Sequence, residues 1–319
     1  MHRPKKNLRK SLQKVTISFI GAGRMGTALA RALSLKGYEI EAFVARHKQS
    51  ARRAAELSGA RHALILSDKQ LAELPASDIL FITTPDDAIE STAAQLAANW
   101  KSLGVKSESR KGLARTILHA SGALSSEVLR TLSKVGFATG SMHPLLSVSD
   151  AVHGAEGLSS AFFCIEGDQR AQRVARSLVR ALGAKSFSIN AKDKALYHAA
   201  AVMASGHVTA LFDIATEMLA RCGLKKDRAR AVLLPLLQSA LENLYASDPA
   251  HALTGTFARA DTSTVRRHLS ALNSKKMTDA LEAYKLLGLR SLQLAKEAGA
   301  SAEALEEIER ILAEATKHD

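Results

Sequence analysis

The sequence predicts an α/β fold, in which an N-terminal doubly wound parallel sheet is followed by an all-α C-terminal domain. Short apolar runs alternate with helix-spaced segments through the first 190 residues, a pattern typical of βαβ units. Beyond that point the strand-like runs stop, and long Ala/Leu-rich stretches with helical periodicity follow. Because 319 residues is long for one hydrophobic core, two domains are expected.

The strands and helices of the N-terminal region are predicted from these apolar runs and from the helix-spaced segments between them. Helical spacing begins at Thr27 and stops before Gly37, and Pro85 closes the fourth strand-like run. Asp86 and Asp87 suit the positive N-terminal end of the next helix. The predicted strands are 15–21, 39–45, 62–67, 78–85, 116–122, 136–144, 161–168 and 186–189. The predicted helices between them are 27–36, 49–58, 86–98 and about 170–182.

The C-terminal region carries helical periodicity with Gly or Asp-Pro breaks. Long apolar helices without a sheet partner must bury their faces on one another or on a second subunit, so a homodimer formed through these helices is expected. The chain is therefore divided into a basic disordered tail (1–14), a sheet domain (15–190) and a helical substrate and dimerisation domain (191–319). The predicted helices of the last are 191–222, 226–246, 275–298 and 302–316.

Composition excludes several classes of protein. The tail supplies six Lys/Arg to a formal charge of +13, but it has no interleaved aromatic residues, so a solubilising role is favoured over nucleic-acid binding. The two cysteines, Cys164 and Cys222, suggest no disulfide framework. Histidines show no metal-binding spacing, so no metal is expected. No uninterrupted apolar run reaches the length of a membrane span, and a cytoplasmic protein without a membrane partner is expected.

The stretch "IGAGRMG" predicts a dinucleotide site. Gly21, Gly23 and Gly26 have G-x-G-x-x-G spacing and lie between the first strand and the first helix. They would provide a tight turn, close approach to a pyrophosphate and close packing of helix on strand. Ala22, Arg24 and Met25 complete the loop. The sheet domain is thus predicted to be of the Rossmann type; the alternative is a structural turn without a ligand.

The end of the second strand indicates which dinucleotide binds. An NAD site usually has an acidic residue there, but this strand ends "VARHK", and Glu41 falls in mid-strand. Arg46 would instead pair with a 2′-phosphate, with Lys48 and Arg52 as further candidates, so NADP(H) is predicted. The alternative is a solvated basic helix start. At the end of the fourth strand, Thr83, Thr84 and Pro85 are expected to line the nicotinamide side; the following Asp86 and Asp87 are expected to cap a helix.

With these pieces placed, the chain resembles a known family. The segments "IGAGRMGTALARAL", "DILFITTPDDAI", "ILHASGAL", "GSMHPL", "FCIEGD", "KALYHAAAVMASGH" and "LTGTFARAD" occur in this order. Together they look like proteins that join a Rossmann-like domain to domain of unknown function 2520. That family is similar in layout to pyrroline-5-carboxylate reductases, ketopantoate reductases and β-hydroxyacid dehydrogenases. The resemblance implies an NADP-linked oxidoreductase with a helical, dimerising C-terminal domain.

The resemblance also implies catalytic residues. β-Hydroxyacid dehydrogenases carry a lysine acid/base followed four residues later by asparagine, and here Lys194 matches while His198 replaces the asparagine. On a helix these two share a face, whereas Tyr197 is expected to lie off it. The alternative is an exposed Lys194 beside a core-facing His198 whose ring is satisfied by hydrogen bonds.

Substrate-binding residues are expected near the same helix. His119, Ser121 and Gly122 follow the fifth strand at the carboxyl edge, where open α/β sheets bind ligands. His143 ends another strand and is expected to face the same cleft. Arg259, in a loop, is a candidate for binding an anionic group. The overall prediction is a reductase or dehydrogenase acting on a small, carboxylate-bearing substrate; the alternative is a non-catalytic NADP-binding sensor or assembly protein.

Overall fold

A computed structural model describes residues 15–102 and 115–315; the predicted tail 1–14 lies outside these ranges. Within them, eight strands form one sheet in the order β3-β2-β1-β4-β5-β6-β7-β8. All neighbouring strands are parallel except β6 and β7, so the predicted doubly wound parallel sheet is confirmed with one antiparallel pair. The strands are β1 (Thr16–Ile20), β2 (Glu39–Ala45), β3 (His62–Ile65), β4 (Ile79–Ile82), β5 (Thr116–His119), β6 (Ala138–Leu145), β7 (Phe162–Gly167) and β8 (Lys185–Phe187).

Helices cover both faces of this sheet. One face packs on α1, α2, α6 and α7, and the other on α3, α4 and α5. Sequence periodicity missed α3, α5 and α6, which are only four to seven residues long and so carry little periodic signal. The helices are α1 (Arg24–Leu35), α2 (Lys48–Ser58), α3 (Asp68–Ala72), α4 (Asp86–Ser102), α5 (Arg130–Ser133), α6 (Ala151–Gly157), α7 (Gln169–Leu182) and α8 (Lys194–Val202).

Aromatic stacking fixes the centre of the sheet. Phe19 of β1 stacks on Phe43 of β2 at 5.1 Å and on Phe81 of β4 at 5.0 Å, measured between ring centroids. All three side chains are fully buried. Burial of three aromatic rings in contact contributes both apolar area and favourable ring geometry. The carboxyl ends of β1, β2 and β4, which carry the predicted cofactor residues, are thereby held in register.

The described chain divides into two compact units, one up to Val202 and one beginning at Met203, whereas the sequence placed the change at residue 190. The second unit begins with a π-helical segment, Met203–His207, and contains only helices among its described residues. Sequence reasoning missed α12, because the preceding "LTGTFARAD" loop was read as a long break. Its helices are α9 (Val208–Arg221), α10 (Lys226–Ala246), α11 (Pro249–Ala252), α12 (Thr262–Ser274), α13 (Thr278–Glu297) and α14 (Ala302–Glu314).

The helical unit leaves much apolar surface exposed. Helices α12, α13 and α14 share a core, but α10 buries only Ala229 along its 21 residues. By length and composition one helical run, Ala191–Arg221, could cross a membrane: it has 31 residues and a mean hydropathy of 1.3 in its most apolar window, none of which is buried. This helical run contains polar and charged residues, so it is not an uninterrupted apolar run, and core helices of soluble proteins pass the same test.

Candidate cofactor and active site

A cavity of about 560 Å³ opens at the carboxyl ends of β1, β2 and β4. This volume lies in the range of ordinary ligand sites. Most residues that line the cavity were predicted from the sequence to bind the cofactor. Of the predicted cofactor residues, only Gly26 does not line the cavity. The predicted residues that line it are Gly21, Ala22, Gly23, Arg24, Met25, Arg46, Thr83, Thr84 and Pro85.

The three glycines have distinct reasons to be glycine. Gly21 has a φ of +112°, and a side chain there would collide with the backbone of Thr83. At Gly26 a Cβ would lie 2.7 Å from the Gly21 carbonyl oxygen and would also strike the Thr83 side chain, so this residue allows close packing of helix on strand. Nothing lies within 4 Å of a Cβ placed on Gly23. That residue therefore faces the open cavity, as a pyrophosphate-binding position requires.

The cavity fits a phosphorylated dinucleotide. Helix α1 begins at Gly23 without a side-chain cap and without acidic residues in its first turn, so its N-terminal amides are available to an anion. The buried Thr84 hydroxyl has no hydrogen-bond partner among the described residues. Arg46 is exposed and lines the cavity beside His47 and Ser50. Lys48 and Arg52 do not line it.

An NAD-type acidic contact does not form in this cavity. Glu41 is buried, and its carboxylate accepts a 2.8 Å hydrogen bond from Arg61. Glu41 therefore pairs with Arg61, which directly precedes β3, and does not line the cavity. Its position agrees with the sequence argument that the acid falls in mid-strand.

A second group of polar residues lies on one face of β5, β6 and β7. His119 pairs in register with Ser141, and across the antiparallel ladder Ser141 faces Glu166 while His143 faces Cys164. Directly opposed residues project from the same side of a sheet. The alternating Leu118, Met142 and Ile165 project into the apolar core on the other side. This arrangement creates a polar patch, which we call the β5–β7 patch: His119, Ser141, His143, Cys164 and Glu166.

Helix α8 lies over this patch and contributes Lys194. The side chain is 1 % exposed, and its Nζ donates to the Ser121 carbonyl oxygen at 3.0 Å and to the Ser141 hydroxyl at 2.9 Å. Burial lowers the pKa of Lys194, an effect opposed by electrostatic interactions with Cys164, Glu166 and Asp86. An ammonium has three N–H donors, so one remains after these two bonds.

Tyr197 shares the inward face of α8 with Lys194, contrary to the sequence expectation. Its hydroxyl lies 2.6 Å from Nδ1 of His143, and Lys194 Nζ lies 5.5 Å from the centre of its ring. Positions three apart on a helix are neighbours just as positions four apart are, which explains the error. The i, i+3 spacing was the available signal.

Two histidines of the site, His119 and His143, are held neutral. His119 is fully buried, its Nδ1 accepts the Ser121 N–H at 3.2 Å, and burial and the charge of Lys194 lower its pKa to about 3, against a hydrogen bond to the Ser125 backbone. Burial also lowers the pKa of His143 to about 3, with smaller contributions from Lys194, His198 and His119. Desolvation disfavours the charged imidazolium in both cases.

Gly122 is surrounded by these rings. A Cβ at this position would lie 2.8 Å from Nε2 of His143 and would collide with Nδ1 of His198. The His143 and His198 rings meet edge to face, with centroids 5.6 Å apart. The Nδ1 atom of His198 is buried without a hydrogen-bond partner among the described residues. Nε2 of His143, on β6, and Nδ1 of His198, on α8, therefore both lie close to Gly122, which has no side chain.

Ser121 links this group to the cofactor cavity. Its hydroxyl donates to the Asp86 carboxylate at 2.8 Å and accepts the Leu124 N–H at 3.0 Å. Asp86 directly follows Pro85, which lines the cavity, and is the first residue of α4. The sequence predicted Asp86 as a helix cap, but it did not indicate the hydrogen bond with Ser121. His119, Ser121, Gly122, His143, Lys194 and His198 are thus brought together. Arg259 is exposed in the helical unit, and its role stays a prediction.

Two family models match the chain. Residues 16–105 match the family described as "NADP oxidoreductase coenzyme F420-dependent", and residues 161–291 match "Domain of unknown function (DUF2520)". No curated protein matches the sequence. Among the described residues, no group of three His, Cys, Asp or Glu side chains could hold a metal ion.

Solved structures share the fold. A protein from Bacteroides fragilis assigned as an NADP oxidoreductase has 21% identity and a TM-score of 0.68, with 88% of this chain and 98% of that chain covered. A pyrroline-5-carboxylate reductase from Coxiella burnetii has 15% identity and a TM-score of 0.53, with 91% and 97% covered. A reductive aminase from Aspergillus terreus, in complex with NADPH4, cyclohexanone and allyl amine, has 18% identity and a TM-score of 0.55, with 95% and 94% covered.

At these identities the structural likeness establishes the fold, whereas the family models establish the class. The chain is an NADP-dependent oxidoreductase in which a segment similar to the NADP oxidoreductase, coenzyme F420-dependent family is followed by a segment similar to DUF2520.

Proposed function

We propose that this oxidoreductase exchanges a hydride between NADP(H) and a small carboxylate-bearing substrate held at the β5–β7 patch. The observation that carries the proposal is the hydrogen bond from Ser121 to Asp86. Ser121, whose carbonyl oxygen accepts a hydrogen bond from Lys194 beside the patch, is thereby joined to Asp86, which directly follows the cavity-lining Pro85. Two sites of different chemistry therefore adjoin at the carboxyl edge of one sheet. Ligands of open α/β sheets bind at this edge.

The cofactor would be held by the glycine loop and by Arg46. The uncapped N-terminus of α1 suits a pyrophosphate, and the Arg46 guanidinium suits a 2′-phosphate. When bound, NADPH supplies a hydride. Thr83, Thr84 and Pro85 would form the wall beside the nicotinamide, where the unpartnered Thr84 hydroxyl offers a hydrogen bond.

Lys194 would serve as the acid/base, with His198 beside it. In the reducing direction the substrate carbon gains the hydride and its oxygen or nitrogen gains a proton from the Lys194 ammonium. Burial lowers the pKa of Lys194, which makes the ammonium a stronger acid at neutral pH. Ser121 and Ser141 fix the Nζ atom in place. Its positive charge also favours a carboxylate group on the substrate.

We propose further that the protein works as a homodimer in the cytoplasm, without a membrane or nucleic-acid partner. Support for the dimer comes from α10, on which Leu236 is 67% exposed and Tyr245 is 92% exposed. Large apolar side chains on a long helix are typical of a face that packs against another subunit.

A non-catalytic NADP-binding sensor or assembly protein is the second candidate. One observation favours it: Lys194 is almost fully buried and already donates two hydrogen bonds, as a purely structural lysine would. Replacing Lys194 by Ala distinguishes the two candidates once a turned-over substrate is known. An enzyme loses turnover and keeps its affinity for NADPH, whereas a sensor has no turnover to lose.

The test of the proposed function is calorimetric titration of NADPH and NADH into wild-type, Arg46→Ala and Lys48→Ala proteins. Loss of one charge-assisted phosphate contact should weaken NADPH by about 1.5–3 kcal/mol, roughly 10- to 150-fold in Kd, and should leave NADH nearly unchanged. Lys48→Ala is the matched control, because this exposed neighbour does not line the cavity. If wild-type protein binds neither dinucleotide, the proposal is wrong.

A further inference from the structure

Three residues that the proposed reaction leaves unused form a chain of hydrogen bonds at the β5–β7 patch. His143 and Cys164 face each other across the antiparallel pair of β6 and β7, so their side chains lie on the same side of the sheet. The Tyr197 hydroxyl contacts both, with 2.6 Å to Nδ1 of His143 and a hydrogen bond to the Cys164 thiol. Phe187 packs on the Tyr197 ring and helps to fix this hydroxyl between its two partners.

The protons of this chain can be placed from the chemistry of its members. Burial raises the pKa of the Cys164 thiol and of the Tyr197 hydroxyl, so both groups keep their protons at neutral pH. The imidazole nitrogen is a much stronger acceptor than a thiol sulfur. Tyr197 therefore donates chiefly to Nδ1 of His143, and the Cys164 sulfur is its second hydrogen-bond partner. A neutral imidazole carries one N–H, which leaves the proton of His143 on Nε2.

This N–H faces Gly122, a residue that the sequence predicts to bind the substrate. Nε2 of His143 faces Gly122, the residue at which Nδ1 of His198 also converges. Gly122 directly follows Ser121, whose hydrogen bond to Asp86 marks the boundary with the cofactor cavity. His143 is partly buried, whereas Lys194 is 1 % exposed.

We propose that the Cys164–Tyr197–His143 chain presents the Nε2–H of His143 as a fixed hydrogen-bond donor to the reacting heteroatom, and that the substrate is a carbonyl compound, not a protonated iminium. The inference rests on the proposed function. A carbonyl oxygen accepts a hydrogen bond and gains negative charge as the hydride reaches its carbon, so a donor placed there stabilises the transition state more than the ground state. A protonated iminium offers only an N–H, which would meet a second donor. Tyr197 and Cys164 are positioning residues, since they act through His143.

The first test is the tautomer of His143, measured by two-bond ¹H–¹⁵N correlation on protein labelled with ¹⁵N in its eleven histidines. The His143 signals are identified by their loss in His143→Gln. We expect a pyridine-like Nδ1 and a pyrrole-like Nε2. In Tyr197→Phe, which keeps the ring and removes the hydroxyl, the preference for this tautomer should fall. A wild-type His143 that carries its proton on Nδ1 overturns the inference, as does a tautomer ratio that Tyr197→Phe leaves unchanged.

The second test uses two probes of similar shape, added to the NADP⁺-bound protein so that no reduction occurs. Cyclohexanone offers an acceptor, and cyclohexylammonium offers only donors. We expect cyclohexanone alone to shift the Nε2 signals of His143. A response to the ammonium alone, or to neither probe, overturns the inference. The tautomer of His143 can be measured without cofactor. If the wild-type protein does not bind NADPH in the calorimetric test, the proposed function is rejected. If it binds NADPH but His143 carries its proton on Nδ1, only this inference is rejected.

Discussion

The neutral His119 should make the first unit lose stability in mild acid, and its removal should reduce that loss. The ring is fully buried, and burial together with Lys194 lowers its pKa from 6.5 to about 3. Since the folded pKa lies below the unfolded one, the unfolded chain takes up the proton first as pH falls below about 6.5. Unfolding is therefore favoured progressively from there toward pH 3, and the stability at neutral pH does not depend on this titration.

The size of the effect follows from the two pKa values. At pH 7 an unfolded histidine is mostly neutral, so keeping the folded one neutral costs little. At pH 5 the unfolded histidine is almost fully protonated, and the difference reaches about 2 kcal/mol by linkage. For a unit of this size that corresponds to roughly 4–8 °C in Tm.

The variant for this prediction is His119→Asn. The amide oxygen of asparagine can take the place of Nδ1 as acceptor of the Ser121 N–H, and any cost of the cavity left by the smaller side chain is the same at all three pH values. Thermal melts followed by far-UV circular dichroism at pH 7, 6 and 5 measure the drop in Tm as the pH is lowered. Between pH 7 and pH 5 this drop should be smaller in the variant than in wild type by roughly 4–8 °C. Equal drops in wild type and variant would refute the reasoning.

His153→Asn provides a contrast of opposite sign. Hydrogen bonding and charge attraction from Asp150 raise the pKa of the exposed His153. Its stabilising contribution is therefore present in acid and is lost as pH rises through the folded pKa, so this variant should lose stability at pH 5 relative to pH 7.

Three further outcomes are expected. Gly122→Ala should displace the His143 and His198 rings, with an overpacking cost of about 1–3 kcal/mol. The ¹⁵N spectrum of His143 should therefore change, whereas the NADPH affinity measured by calorimetry should stay within about twofold of wild type. An unaltered spectrum would show that the rings do not crowd this residue. Gly23→Ala should keep the wild-type Tm and lose NADPH affinity, whereas Gly21→Ala should lose both, because only Gly21 has a positive φ and contacts the backbone of Thr83; equal behaviour in melts and calorimetry would contradict this distinction. Leu236→Glu should shift the mass in sedimentation equilibrium from dimer to monomer, and a monomeric wild type would reject the proposed interface.

The sequence by itself determined the sheet, the glycine loop and the type of cofactor. These features depend on local signals: β2 was predicted at its observed bounds because its apolar run is bounded by polar residues, and the loop was recognised because its glycines have fixed spacing. The position of Arg46 at the end of β2 likewise follows from counting along the chain.

Only the tertiary structure decided which polar residues meet. Ser141 and His143, and likewise Cys164 and Glu166, alternate with apolar residues in their strands, so each pair was recognisable as sharing a face. The antiparallel pairing that sets His143 opposite Cys164 depends on the order of strands in the sheet, which no local pattern encodes. The burial of Lys194 and the contact of Tyr197 with His143 depend on how α8 lies over that face, because hydrogen bonds between residues more than fifty positions apart exist only after the chain has folded.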